Sequence, residues 1–203
     1  MKNLRFMPIL MSLFALVLIS CEKDNETQIS EDKTLFTSLS SDYTGVDFIN
    51  AVENQKDFNI FKYRNFYNGG GVALGDINND GLDDIYLTGN MEANKLYLNK
   101  GDFKFEDISA SAGVEGSKPW STGVVMVDIN SDGLLDIYVS NAGNMEGNNH
   151  NNDLYINNGD LTFSEKAEEY NLAETGFSTH ASFFDYDKDG DLDAYILNNS
   201  NIP

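Results

Sequence analysis

The chain has a single cysteine, Cys21, so no intrachain disulfide can form. Basic residues are scarce, with 13 Lys and Arg against 33 Asp and Glu. The resulting formal charge of −20 excludes a nucleic-acid partner on electrostatic grounds. Proline occurs three times in 203 residues and histidine twice, while Asn, Asp, Gly and Ser are plentiful, as in a β-rich protein full of polar turns. A membrane-spanning run is missing too. The apolar stretch Phe6 to Ile19 covers 14 residues (19 − 6 + 1), too few to cross a hydrocarbon core of ~30 Å. The composition is nonetheless 41% apolar and 12% aromatic, enough for a packed body of one sizeable domain or two small ones.

The acidic residues are not spread evenly. Asp76–Asp84 reads DINNDGLDD, Asp128–Asp136 reads DINSDGLLD and Asp185–Asp193 reads DYDKDGDLD. Oxygen-bearing side chains fall at loop positions 1, 3, 5 and 9: Asp76, Asn78, Asp80 and Asp84; Asp128, Asn130, Asp132 and Asp136; Asp185, Asp187, Asp189 and Asp193. A hard cation such as Ca²⁺ takes six to eight oxygen ligands, and alternate residues of a tight loop can converge on one. Glycine at position 6 lets the backbone turn without a Cβ clash. Three copies, 52 and 57 residues apart (128 − 76 and 185 − 128), exclude coincidence. Three bound Ca²⁺ would bring −20 to −14.

Aligning the loops aligns their flanks. A short apolar strand is expected before each (Val72–Leu74, Val124–Met126, Ala181–Phe183) and after each (Ile85–Leu87, Ile137–Val139, Ala194–Ile196). Third strands come next at Leu96–Leu98 and Leu154–Ile156, then Gly-containing hairpin turns at Asn99–Asp102 and Asn157–Asp160. Fourth strands are expected at Phe103–Phe105 and Leu161–Phe163. Four short antiparallel strands in about 50 residues make the blade of a β-propeller, so the fold class is all-β. A nonapeptide β-roll is excluded because its repeats are too short. An EF-hand needs a bidentate Glu at position 12, where this chain has Leu87, Val139 and Ile196.

The motif D-x-[DN]-x-D-G-x-x-D between two short strands, after GVALGD-type sequence, resembles the FG-GAP/VCBS repeats of integrin-α-like propellers. FYNGGGVALGDINNDGLDDIYLTGN (66–90) and THASFFDYDKDGDLDAYILNNS (179–200) are similar to bacterial lipoproteins in which the propeller often precedes an ASPIC/UnbV domain. The resemblance covers about residues 35–203. It implies that the carbonyl at position 7 (Leu82, Leu134, Asp191) joins the side-chain oxygens around each Ca²⁺, with water completing the shell.

The N-terminus has its own logic. Lys2 and Arg5 precede the apolar run, which ends Leu18-Ile19-Ser20-Cys21. That sequence resembles the lipobox of bacterial lipoproteins and implies removal of residues 1–20 and lipidation of Cys21; an ordinary secretory signal with an incidental cysteine is the other reading. Cys21-Glu22-Lys23-Asp24-Asn25-Glu26 resembles the surface-export signal of Bacteroidetes lipoproteins, which implies an outer-membrane location with export to the cell surface. Residues 21–40 form a polar tether and 41–68 a leading segment with a strand at Thr44–Asn50. The repeats occupy 69–203, with blades at about 69–114, 121–172 and 178–203. The last is incomplete, as expected of an N-terminal fragment.

Two positions stand out beyond the loops. His180 occupies the place of Gly71 and Gly123 in the other repeats, either as a satisfied inner-strand residue or at the mouth of a central channel. Trp120 either packs between blades or offers a stacking face to a sugar. His150, in an Asn-rich insertion, is expected to be solvated. No catalytic constellation emerges. The favoured function is a non-catalytic, surface-anchored module that binds a glycan or protein; the alternative is part of a Ca²⁺-dependent polysaccharide lyase or hydrolase, for which basic residues are few.

Overall fold

A computed structural model describes residues 35–143 and 149–199. The expected signal peptide, Cys21 and most of the tether lie outside the described residues. The chain divides into one unit ending at Ser38 and a second beginning at Leu39, and the second holds the repeats.

After a short helix α1 (Ser41–Thr44), the first sheet comprises β1 (Val72–Gly75), β2 (Asp84–Leu87), β3 (Lys95–Asn99) and β4 (Phe105–Asp107). The one-turn helix α2 (Ser109–Ala112) leads to the second: β5 (Ser121–Val127), β6 (Asp136–Asn141), β7 (Asp153–Asn157) and β8 (Phe163–Glu165). The third pairs β9 (Phe177–Phe184) with β10 (Asp193–Asn199). Each sheet is an antiparallel meander in chain order. The inner two strands pair in matching register, Gly75 opposite Asp84, Val127 opposite Asp136 and Phe184 opposite Asp193, so each acidic nonapeptide is the turn between them. The fold is all-β, a partial propeller with sheets of four, four and two strands.

The core lies between sheets. Ala73, Tyr86 and Leu96 of the first pack with Val124, Ile137 and Val139 of the second. Tyr138 and Leu154, pointing the other way, pack with Ala181 and Phe183 of the third. Side chains alternate faces along a strand. With both faces covered, all six residues of β6 are buried, and each large apolar side chain contributes roughly 1.5–3 kcal/mol. Close approach of the inner strands explains two glycines. A Cβ on Gly71 would stand 2.8 Å from the Thr122 carbonyl oxygen, and one on Gly123 would strike the Thr179 carbonyl.

Two strand expectations need correction. The fourth strands begin at Phe105 and Phe163, two residues later than expected, because the hairpin turns are longer. Asp102, Phe103 and Leu161 have positive φ (53°, 57° and 66°), and Lys100 N–H reaches across to the Lys104 carbonyl. Residues 44–50 form no strand. Thr44 closes α1, and the chain beyond it is a strap held by side chains instead of a ladder. The Tyr97 hydroxyl donates to Asp47 (3.1 Å), Asn50 Nδ2 donates to Asn90 Oδ1 (2.8 Å), and Asn90 N–H donates back to Asn50 Oδ1 (2.9 Å). The strap continues into an aromatic cluster of Phe58, Tyr63 and Phe66 around Trp120, which bridges to the start of β5.

Candidate metal loops and a cleft at the other end of the inner strands

The three loops share one backbone. Position 4 (Asn79, Ser131, Lys188) has φ of 58°, 60° and 66°, and the position-6 glycines have φ of 86°, 87° and 100°. Both are left-handed, which wraps the loop around its own side chains. The position-1 aspartate is the hub. Asp76 accepts the N–H groups of Asp80 (3.0 Å) and Gly81 (2.7 Å), and Asp128 those of Asp132 (3.0 Å) and Gly133 (2.8 Å). Asp185 accepts Lys188 N–H (2.6 Å) and Gly190 N–H (3.2 Å). The first two loops also touch each other, Asn79 Nδ2 donating to the Gly133 carbonyl (3.0 Å).

The position-9 aspartates distinguish the loops. Asp84 is fully buried, with one oxygen on Ile77 N–H (3.0 Å) and the other on Asn99 N–H (2.8 Å). Asp136 repeats this with Ile129 N–H (3.0 Å) and Asn157 N–H (2.8 Å). These residues tie each loop to the third strand. Asn99 and Asn157 complete the tie, with Nδ2 donating to the carbonyls of Asp83 and Leu135 and Oδ1 accepting Gly101 and Gly159 N–H. Sequence reasoning places both asparagines in hairpin turns and misses the tie; their recurrence directly after Leu98 and Ile156, at the end of the third strand, is the signal that could have found it. Among the described residues Asp193 accepts Tyr186 N–H alone (2.8 Å), and carboxylate oxygens of Asp185, Asp187 and Asp193 lie within 4.8 Å of one another.

Burial pushes the Asp84 and Asp136 carboxyls up despite their backbone hydrogen bonds, and the neighbouring aspartates at positions 5 and 1 push the same way. Desolvation works against Asp76 as well, but N–H groups of Gly81, Asp80, Asn78 and Asn79 together hold its carboxyl below the usual value. The donor set is all oxygen, with no nitrogen or sulfur ligand, and its charges repel. A carboxylate has about four lone-pair sites, so those accepting N–H groups still have capacity for a cation. The residues fit a hard divalent ion such as Ca²⁺.

At the opposite, N-terminal ends of β1, β5 and β9 a cleft of about 280 Å³ opens, and it brings His180 and Trp120 together with Gly69–Gly71, Asn65 and Asn68. His180 is exposed and its ring lies over Gly123, where a Cβ would come 2.8 Å from Nδ1. Trp120 is 1% exposed and enclosed by Phe58, Tyr63 and Phe66, so the sugar-stacking expectation is corrected: its indole is a packing element. His150 is also corrected, from solvated to buried, with its ring stacked on Phe177 (centroids 5.1 Å, 15°).

The sequence profile of the FG-GAP-like repeat matches residues 76–139 and 142–196, starting at the first residue of the first acidic loop. The chain belongs to the FG-GAP-like repeat family. FG-GAP-like repeats are also what it shares with integrin-α-like β-sheet folds. Cartilage acidic protein 1 of Xenopus tropicalis is 35% identical over 136 residues, 66% of this chain and 20% of that protein. The Homo sapiens protein of the same name is 40% identical over 76 residues (37% and 12%), and the Mus musculus one 30% over 135 residues (64% and 20%). The chain thus spans a fifth or less of the length of these curated relatives.

Proposed function

We propose that the protein is a Ca²⁺-braced, non-catalytic binding module, anchored in a bacterial outer membrane through lipidated Cys21, that recognises a glycan or a protein. The observation that carries the metal is the convergence of Asp185, Asp187 and Asp193 oxygens within 4.8 Å, in a loop whose backbone the other two repeat. Side chains at positions 1, 3, 5 and 9 and the position-7 carbonyl would hold the ion. When bound, the ion supplies positive charge that relieves repulsion among the aspartates and ties the strand-to-strand turn. In the first two blades Asp84 and Asp136 pass that constraint to the third strand through Asn99 and Asn157 N–H.

The expected affinity is that of extracellular sites, Kd on the order of 10⁻⁴–10⁻³ M. At tenfold excess over Kd each site stabilises the fold by about 1.4 kcal/mol. Melting with EDTA and then with millimolar Ca²⁺ checks this, and an unchanged melting temperature rejects the brace. For the anchor, Cys21→Ala is expected to release the protein from the detergent-dependent membrane fraction. Turnover of a polysaccharide would replace the binding reading with a lyase or hydrolase.

A further inference from the structure

We infer that the cleft at the N-terminal ends of the inner strands is a binding site for an uncharged saccharide, held by Asn65, Asn68 and His180. This rests on the binding-module reading and names its ligand and its place.

Three observations converge. The first is charge. In a chain with 33 acidic and 13 basic residues, no Asp, Glu, Lys or Arg among the described residues lines the cleft. An anionic or cationic ligand finds no counter-charge there, whereas a neutral ligand avoids the field that the acidic loops set up at the far end.

The second is the break in the repeat. Where the first two blades have Gly71 and Gly123 packed against the next inner strand, the third has His180. Its imidazole is exposed, projects over Gly123 and makes no hydrogen bond among the described residues. Local departures from a rule that the rest of the chain obeys are where function is expected. Asn65 and Asn68 come from outside the repeats altogether. Asn68 Nδ2 donates to Asn65 Oδ1 (3.1 Å), which orients the pair and leaves Asn68 Oδ1 able to accept.

The third is rigidity. The cleft floor is Tyr63 and Trp120, 2% and 1% exposed, locked by edge-to-face contact (centroids 5.6 Å, 83°). Burial pushes the Tyr63 phenol up, opposed by the Asn65 side chain, so it remains a neutral hydroxyl. Neutral amides and an imidazole held on this rigid backing match the hydroxyls that a sugar offers on its rim.

The test is calorimetric titration of the full chain, in Ca²⁺, with a panel of short neutral and uronate-containing oligosaccharides and short neutral peptides, for the native protein and for His180→Ala and Asn68→Ala. A neutral oligosaccharide is expected to bind, and each variant to weaken it about tenfold, the loss of one ligand hydrogen bond. The Asn68→Ala melting temperature is expected to stay unchanged, since the side chain is exposed. Should His180→Ala fail to fold, Asn68→Ala and the His180 ring resonances on sugar addition carry the test. Binding unaffected by Asn68→Ala, with the ring resonances unmoved, overturns the site while leaving the module reading intact. Binding of uronates or peptides alone overturns the ligand class. Release of new reducing ends overturns the module reading instead.

Discussion

The second and third blades carry nearly the same inner hairpin, yet the protein treats them differently. Tyr138 and Tyr195 occupy the same place, two residues after the position-9 aspartate. Tyr138 is fully buried, and Tyr195 is 63% exposed. Asp136 is buried with two backbone donors, whereas Asp193 is partly exposed with one. β6 has β5 and β7 beside it and a sheet against each face; among the described residues β10 pairs with β9 alone. Burial is therefore conferred by neighbours and not by the residue. That is the behaviour of a repeat array, in which stability is roughly the sum of each unit and its interfaces.

The largest test of this contrast is the position-9 aspartate. Asp136→Ala strands the buried N–H of Asn157 and the half-buried N–H of Ile129, and each buried orphan costs about 1–3 kcal/mol. A loss of about 4 kcal/mol is expected in denaturant unfolding in EDTA. Asp193→Ala frees one N–H that water can reach, and is expected to cost less than about 1 kcal/mol under the same conditions. Equal losses would show that the third loop is as firmly seated as the second.

A smaller effect comes from the paired tyrosines. Tyr138 Oη donates to the Leu172 carbonyl (2.9 Å) and accepts from Asn152 Nδ2 (2.8 Å). Tyr138→Phe leaves both partners short inside the second blade and is expected to cost about 2 kcal/mol. Tyr195→Phe is expected to stay within about 0.5 kcal/mol, because the side chain is largely exposed to solvent. Denaturation midpoints for the two variants, side by side, settle the comparison.

The repeated part of this fold was legible because recurrence multiplies weak local signals. A single DINNDGLDD is ambiguous, but three of them in register locate the inner strands and the turns between them. The tie from Asp84 to Asn99 is harder to see, since it spans 15 residues and uses a backbone N–H. The strap from Gly45 to Phe66 was illegible for another reason. It occurs once, has no period and is fixed by long-range side-chain partners such as Asn50 with Asn90. The fate of Trp120 depends on that strap: the three aromatic rings that enclose it precede it by 54 to 62 residues (120 − 66 and 120 − 58). The cleft inherits the same obscurity, since its floor is built where the strap meets the repeats.

The smallest effect concerns a charge trapped by the coverage that protects the second blade. Asp153 opens β7 and is almost fully buried. Burial pushes its carboxyl up to about 6, although the Asn141 amide (2.8 Å) and the Lys118 ammonium (3.8 Å) pull the other way and Glu165 adds to the rise. The buried Tyr155 phenol, which its own burial and then the same carboxylate push up, stays neutral and brings no compensating charge. With the folded value above the ordinary one, the folded state holds the proton more tightly than the unfolded chain does. The stabilisation from this group is complete below the unfolded value and is lost as pH rises through about 6. Between about pH 5 and pH 7 the native protein should therefore lose about 1 kcal/mol that Asp153→Asn does not lose. The difference between the two proteins is the quantity to measure, because the loop aspartates titrate in both and cancel. Parallel curves would mean that Lys118 already neutralises the carboxylate and that the second blade tolerates a buried ion pair. Curves that separate as pH rises, with the variant ahead at pH 7, would mean that coverage by two sheets carries a cost that the open third blade escapes.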